Sequence, residues 1–293
     1  MENFRYLKPA DLDEALSLKK EFGSKARFLL GGTDLFIQMN KGILVPEVVI
    51  DLKGIEGLKG IEKKDGYVYI GARVSWTEII ESDSIREDYP ALYEASELVA
   101  SVGVRNTGTL VGNICNAVPS LEAGSPLLVY SAVVVVKSAD GEREIPIEDF
   151  FTGVKKTALK DDEMVVGVKL PLKKEKTGDV YVKMGRYEGE DLAQAGVAVC
   201  TDGGNNYLIA LNAVAPVPVR AKKAEEFLKG KKIDDAAAEK AAELALEDIS
   251  PISDMRASRE YRLHMCRVMV KRALKASVSR LETGEPALNT RLI

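Results

Sequence analysis

A single histidine, His264, occurs in this 293-residue sequence. Zinc sites built from three histidines, two-histidine iron sites and paired-histidine proton relays are therefore excluded. Cysteine is almost as scarce. Cys115, Cys200 and Cys266 lie far apart with no C-x-x-C among them, so the chain has neither the ligand run of an iron–sulfur cluster nor a zinc knuckle. An odd number of scattered cysteines reads as reduced thiols and a cytoplasmic protein. No apolar run approaches the roughly 20 residues that cross a bilayer. The polar opening MENFRYLKPADLDEAL has no signal-peptide core. Positive charge is not in excess either. Lys and Arg number 41 against 45 Asp and Glu, a formal charge of −4, which argues against broad nucleic-acid binding. Redox or transfer chemistry in such a chain requires a bound cofactor or a partner subunit.

What is present divides into three stretches. Residues 1–55 have a β–turn–α–β pattern. A helix over Asp11 to Phe22 has Asp11 as its N-cap and is closed by Gly23. A strand over Ala26 to Leu30 runs into Gly31-Gly32, then a helix through TDLFIQMN and a strand over Val48 to Leu52. Residues 56–172 carry strands near Tyr67, Val133 and Val165, with a turn at Asp140-Gly141 and helices after Ser75 and Pro90. The charged run KKEKTGD marks a boundary. Residues 178–293 begin with three strands, over Val180 to Met184, Gly196 to Thr201 and Tyr207 to Val214. Helices follow, the last from about Asp254 to Leu281.

Two segments have ligand chemistry. Leu30-Gly31-Gly32-Thr33-Asp34-Leu35 joins a strand to a helix, where glycines let an anion approach free backbone N–H groups. The same residues would also serve as a tight turn with Thr33 or Asp34 as N-cap. Between Ser101 and Ser120 the chain gathers three glycines, three asparagines and two threonines around apolar residues. Such a segment can offer N–H groups and side-chain bonds to ribityl or ribose hydroxyls, with Glu122 as an acceptor just beyond. It would equally read as an irregular surface loop.

These residues carry a family resemblance. GGTDL at Gly31 to Leu35, RNTGTLVGNICNAVPSLE at Arg105 to Glu122, FFTGVKKTAL at Phe150 to Leu159, DEMVVGVKLP at Asp162 to Pro171, KMGRYEGEDLA at Lys183 to Ala193 and RASREYR at Arg256 to Arg262 occur in order. The chain resembles the FAD-binding medium subunit of the molybdenum hydroxylases, of xanthine dehydrogenase and carbon monoxide dehydrogenase type. The resemblance implies an α+β fold: an FAD-binding unit of two α/β subdomains, then a C-terminal domain with a three-stranded antiparallel sheet and helices. It implies FAD as cofactor, bound by Leu30, Gly31, Gly32, Thr33, Asp34 and Leu35 and by Thr109, Leu110, Val111, Gly112 and Asn113. Asn116, Glu122, Val165 and Lys183 match further flavin-contact positions, Lys183 as an ammonium near the reduced flavin. The family's second segment usually reads Thr-Ile-Gly-Gly-Asn, so Val111 replaces a glycine. A valine resists positive φ; either that position is extended, or the loop is displaced and FAD binding weakened.

The implied function is electron transfer. A molybdenum-cofactor large subunit oxidises the substrate, a 2Fe–2S small subunit relays electrons, and this chain passes them to NAD or another acceptor. Two other readings stay open: a free-standing FAD-dependent oxidoreductase, and a nucleotide-binding assembly module that has lost its flavin. His264 and Cys115 read as structural. The final helix, with eight basic residues and one acid between Arg256 and Arg280, reads as an amphipathic helix with a solvated basic face.

Overall fold

The computed structural model describes residues 1–187 and 189–284. Three larger sheets and a two-stranded ribbon, Phe151–Gly153 with Lys156–Thr157, order them. The first is a parallel sheet of Arg5–Leu7, Val48–Asp51 and Ala26–Leu29, with Val48–Asp51 central. Helix Leu12–Phe22 packs on it. The Asp11 carboxylate accepts from Glu14 N at 2.9 Å, the expected N-cap. The second sheet is antiparallel, in the order Ile61–Lys64, Tyr67–Gly71, Met164–Pro171, Val133–Ser138 and Gly141–Pro146. The last two form a hairpin through Asp140.

The third sheet has four antiparallel strands, not the expected three: Thr177–Met184, Ala195–Asp202, Tyr207–Asn212 and the edge strand Val219–Arg220. Both its faces are covered, so its three long strands are buried at nearly every position. Tyr181, Ala198, Cys200 and Ala210 face the core shared with the first two sheets. Alternate residues, among them Val180, Val182, Val197, Val199 and Leu211, face a second core under the C-terminal helices. Helices Asp235–Ala245 and Arg259–Thr283 close that side. The final helix starts five residues later than the sequence suggests. Ser258 is its N-cap, and Asp254 is engaged in a turn with Arg256 and Ala257. No helix among the described residues is long and apolar enough to cross a membrane.

Candidate functional site

The first glycine pair sits where strand Ala26–Leu29 ends. Leu52 N donates to Leu29 O at 3.0 Å, so the neighbouring strand fixes the position of that end. Gly32 has φ +73°, a conformation that a side chain resists, and a Cβ there would come within 2.8 Å of the Phe36 ring. Helix Leu35–Asn40 follows. Asp34 stands at its cap without a side-chain bond to the first turn, so the simple capping role does not hold. Desolvation raises the Asp34 carboxyl above its ordinary range, opposed by the Lys155 charge and a bond from Asn116.

The second segment is not an irregular loop. Helix Val102–Thr107 is broken at Gly108, and helix Leu110–Asn116 begins at once. Thr109 is the N-cap: its hydroxyl accepts from Gly112 N at 2.9 Å. The Gly108 carbonyl accepts from Trp76 N at 3.0 Å, which pins the break to the Ser75-capped helix Trp76–Glu81. Val111 therefore has neither of the expected conformations. It lies in the first turn of a helix, where φ is negative, and is 1% exposed. Its side chain serves the core and leaves the segment in place.

The two segments meet backbone to backbone. A Cβ on Gly31 would stand 2.0 Å from the Thr107 carbonyl oxygen and 2.9 Å from Gly108 Cα. A Cβ on Gly108 would lie 3.4 Å from Thr33 Oγ1. Further along, Gln38 Nε2 approaches Asn116 Oδ1 at 3.5 Å. Leu30 to Leu35 and Thr109 to Asn116 thus form one strip. Asn113 contributes a buried Oδ1 with no partner among the described residues. Such an acceptor calls for a donor.

Beside the strip lies a buried ion pair. Lys183 Nζ donates to Glu122 Oε1 at 2.9 Å, to Leu98 O at 2.8 Å and to Asp191 O at 2.8 Å. All three ammonium hydrogens are used. Both side chains are under 10% exposed, at 7% and 9%. Burial pushes the Glu122 carboxyl up, Lys183 pulls it down, and the Asp34 charge adds an upward push that ties the pair electrostatically to the first turn. Lys183 is thus neither a solvated strand lysine nor a lone ammonium; its charge is matched by Glu122. Val165 is 2% exposed, beneath helix Leu110–Asn116 at a bulge in strand Met164–Pro171.

Sequence reasoning missed several partners. Asp191 has no role assigned from the sequence, yet its carbonyl accepts from Lys183 and its carboxylate accepts from Arg186 N. Leu98 acts through its main chain, which no side-chain pattern reveals. Asn212 bonds Ser125 and the Leu121 carbonyl, bracing the approach to Glu122 from the third sheet. Cys115 is exposed on the second helix, whereas Cys200 and Cys266 are buried.

Close-packed glycines that bare the backbone, a threonine-capped helix and an unpaired buried amide oxygen suit a ligand with phosphate and hydroxyl groups. Comparison with known proteins agrees. Residues 2–173 match the FAD binding domain in molybdopterin dehydrogenase, and residues 179–277 match the CO dehydrogenase flavoprotein C-terminal domain. The xanthine dehydrogenase FAD-binding subunit of Escherichia coli O157:H7 is 32% identical, over 94% of this chain and 96% of that protein. The carbon monoxide dehydrogenase medium chain of Hydrogenophaga pseudoflava is 34% identical, over 94% and 98%. A solved carbon monoxide dehydrogenase from that organism, lacking the Mo-pyranopterin moiety of its molybdenum cofactor, superposes with a TM-score of 0.92 at 35% identity, covering 95% of this chain and 98% of that one. The chain belongs to the FAD-binding subunits of the molybdenum hydroxylase family, of xanthine dehydrogenase and carbon monoxide dehydrogenase type, and is an FAD-carrying oxidoreductase subunit.

Proposed function

We propose that the strip formed by Leu30 to Leu35 and Thr109 to Asn113 holds the FAD pyrophosphate, with Asn113, Asn116 and Glu122 serving the hydroxyl-bearing part. The observation that carries this reading is the contact of Gly31 with the Thr107 carbonyl. It makes two glycine segments, 76 residues apart at Gly31 and Thr107, a single backbone surface. Val165 supplies apolar backing. Lys183 acts as a pair with Glu122, presenting a fixed dipole with no net charge. When bound, FAD supplies a store for two electrons that can be filled singly.

In this reading the chain takes electrons from 2Fe–2S centres on a small partner subunit. The substrate is oxidised at a molybdenum cofactor on a large one. This chain passes the electrons to NAD or another acceptor. The support is chemical: one histidine and three scattered cysteines leave the chain without ligands for those centres. The complex works in the cytoplasm, where such thiols stay reduced. Three units build the chain, 1–55, 56–172 and 178–293; the first two sheets lie wholly within their units, and the third starts at Thr177. Purification from the native host with assay of flavin, iron and molybdenum tests the reading. FAD with both metals, and NAD reduction by the complex, is the expected result. FAD without either metal would favour a free-standing flavoenzyme.

A further inference from the structure

The strand that carries Lys183 is an edge strand of the third sheet. Thr177–Met184 pairs with Ala195–Asp202 on one side only. In an antiparallel strand every second residue turns its N–H and C=O away from the partner, so an edge leaves a row of main-chain groups unpaired. Here that edge is buried, with Asp179 and Tyr181 no more than 1% exposed, and side chains take the place of a neighbouring strand. Tyr181 N donates to Glu94 Oε2 at 2.8 Å, and Arg280 Nη1 donates to Asp179 O. Residues two apart in a strand point their main-chain groups from the same edge. Glu94 and Arg280 are bonded to each other as well, Nη2 to Oε1 at 2.5 Å. The ion pair thus offers the edge one acceptor and one donor, as the backbone of a further strand would.

The spacing ties this pair to Lys183. Glu94 lies in helix Pro90–Glu97, and Leu98, which ends that helix, accepts from Lys183 Nζ at 2.8 Å. Glu94 and Leu98 are one turn apart on one helix face, about 6 Å along the axis. Tyr181 and Lys183 are two residues apart on one strand face, about 6.6 Å. Helix and strand therefore meet in register at two points, one through the main chain at Tyr181 and one through the side chain at Lys183. The lysine stem is flexible and follows its backbone; it does not set it. A carboxylate held by a buried guanidinium does. Tyr130 and Lys173 also reach this strand, but at the Asp179 carboxylate, a side chain that can rotate. A slip of one residue would turn Lys183 to the other face of the sheet. We infer that Glu94, braced by Arg280, is a positioning residue of the flavin site: it sets the register of Thr177–Met184 against helix Pro90–Glu97 and so delivers Lys183 to Glu122. This rests on the proposed function, in which Lys183 and Glu122 adjoin the flavin.

The test uses the full chain loaded with FAD. Two quantities are read: the rate at which an N-hydroxysuccinimide acetate ester acetylates Lys183, by peptide mass spectrometry, and the flavin midpoint potential. Wild type should protect Lys183, whose side chain is 7% exposed. Glu94→Ala removes the acceptor, and Glu94→Asp keeps the charge but stops one methylene short of the strand. Both should speed acetylation about tenfold or more. Both should also shift the reduction equilibrium about tenfold against the reduced flavin, about 30 mV for a two-electron couple, because Glu122 loses its counter-charge. Glu94→Gln keeps an acceptor for Tyr181 N and should restore protection and potential, even with a lower melting temperature. Val270→Ala, in the second core, lowers stability while leaving the bonds of Glu94 in place, and should match wild type in both readings. In the Lys183→Met background, Glu94→Ala should move the potential no further. Lys183 still protected in Glu94→Asp, equal acetylation in Val270→Ala, or a further fall in potential without Lys183 would overturn the positioning role. Glu94→Asp carries the same test should Glu94→Ala not fold. An unchanged potential in Lys183→Met alone would instead overturn the placement of Lys183 beside the flavin, with acetylation still reading the register.

Discussion

Replacing Lys183 by Met removes an ammonium that makes three bonds at 2.8–2.9 Å in a place with almost no water. Glu122 is left as a buried carboxylate without its counter-charge, and the carbonyls of Leu98 and Asp191 lose their donor. Breaking one side of a buried pair costs about 3–5 kcal/mol. At roughly 2–4 °C per kcal/mol, the melting temperature should fall by about 6–20 °C. Glu122→Gln should cost less, since the amide oxygen still accepts from Lys183. The double variant buries no charge, so the two losses should not add, with a coupling energy in the upper half of about 0.5–3 kcal/mol. The loss should also depend on pH. Without Lys183, burial raises the folded-state pKa of Glu122 above its unfolded value still further. A raised carboxyl favours the folded state below the unfolded pKa and disfavours it as pH rises through the folded one. Lys183→Met should therefore lie nearest to wild type at about pH 4–5 and farthest at neutral pH. Urea or thermal melts of the four proteins between pH 5 and pH 8 measure this. Additive losses, or a Lys183→Met deficit that does not shrink in acid, would refute the buried pair. Redox titration adds a second reading: the double variant changes no net charge and should shift the flavin potential far less than Lys183→Met.

Gly31→Ala should weaken FAD binding and cost about 1–3 kcal/mol of stability, because its methyl would meet the Thr107 carbonyl and no side-chain rotation relieves the clash. Gly103→Ala, with open space around the same atom, is the paired control, and flavin fluorescence titration with denaturant melts reads both. Added FAD should raise the melting temperature more than FMN at equal concentration, by the equivalent of about 2.7 kcal/mol at a hundred times Kd; an equal or larger shift with FMN would count against a pyrophosphate strip. The isolated chain should show diaphorase activity with artificial donors yet not hydroxylate purines, aldehydes or carbon monoxide, and substrate hydroxylation by metal-free protein would contradict that.

Elements with strong local signals were legible in the sequence. Asp11 caps its helix, Gly31-Gly32 turns a strand into a helix, and the Val133–Ser138 hairpin turns at Asp140. The second segment was misread because its helices are six and seven residues long, shorter than the windows in which periodicity shows, and rich in poor helix formers. Packing against strand Met164–Pro171 and the bond from Trp76 N form them instead, and these are tertiary contacts. The concern over Val111 came from the same misreading, since only a loop would have required positive φ there. A two-residue edge strand such as Val219–Arg220 has no pattern to read. The residue types at Glu122 and Lys183 were visible; their pairing was not, because 61 residues separate them.

Titration of purified, flavin-free chain with FAD, followed by absorbance and calorimetry, tests the central claim most directly. The two adjoining glycine segments predict one FAD per chain, with affinity lost in Gly31→Ala and retained in Gly103→Ala. Failure of the folded wild-type chain to bind FAD, or undiminished binding by Gly31→Ala, would contradict the account.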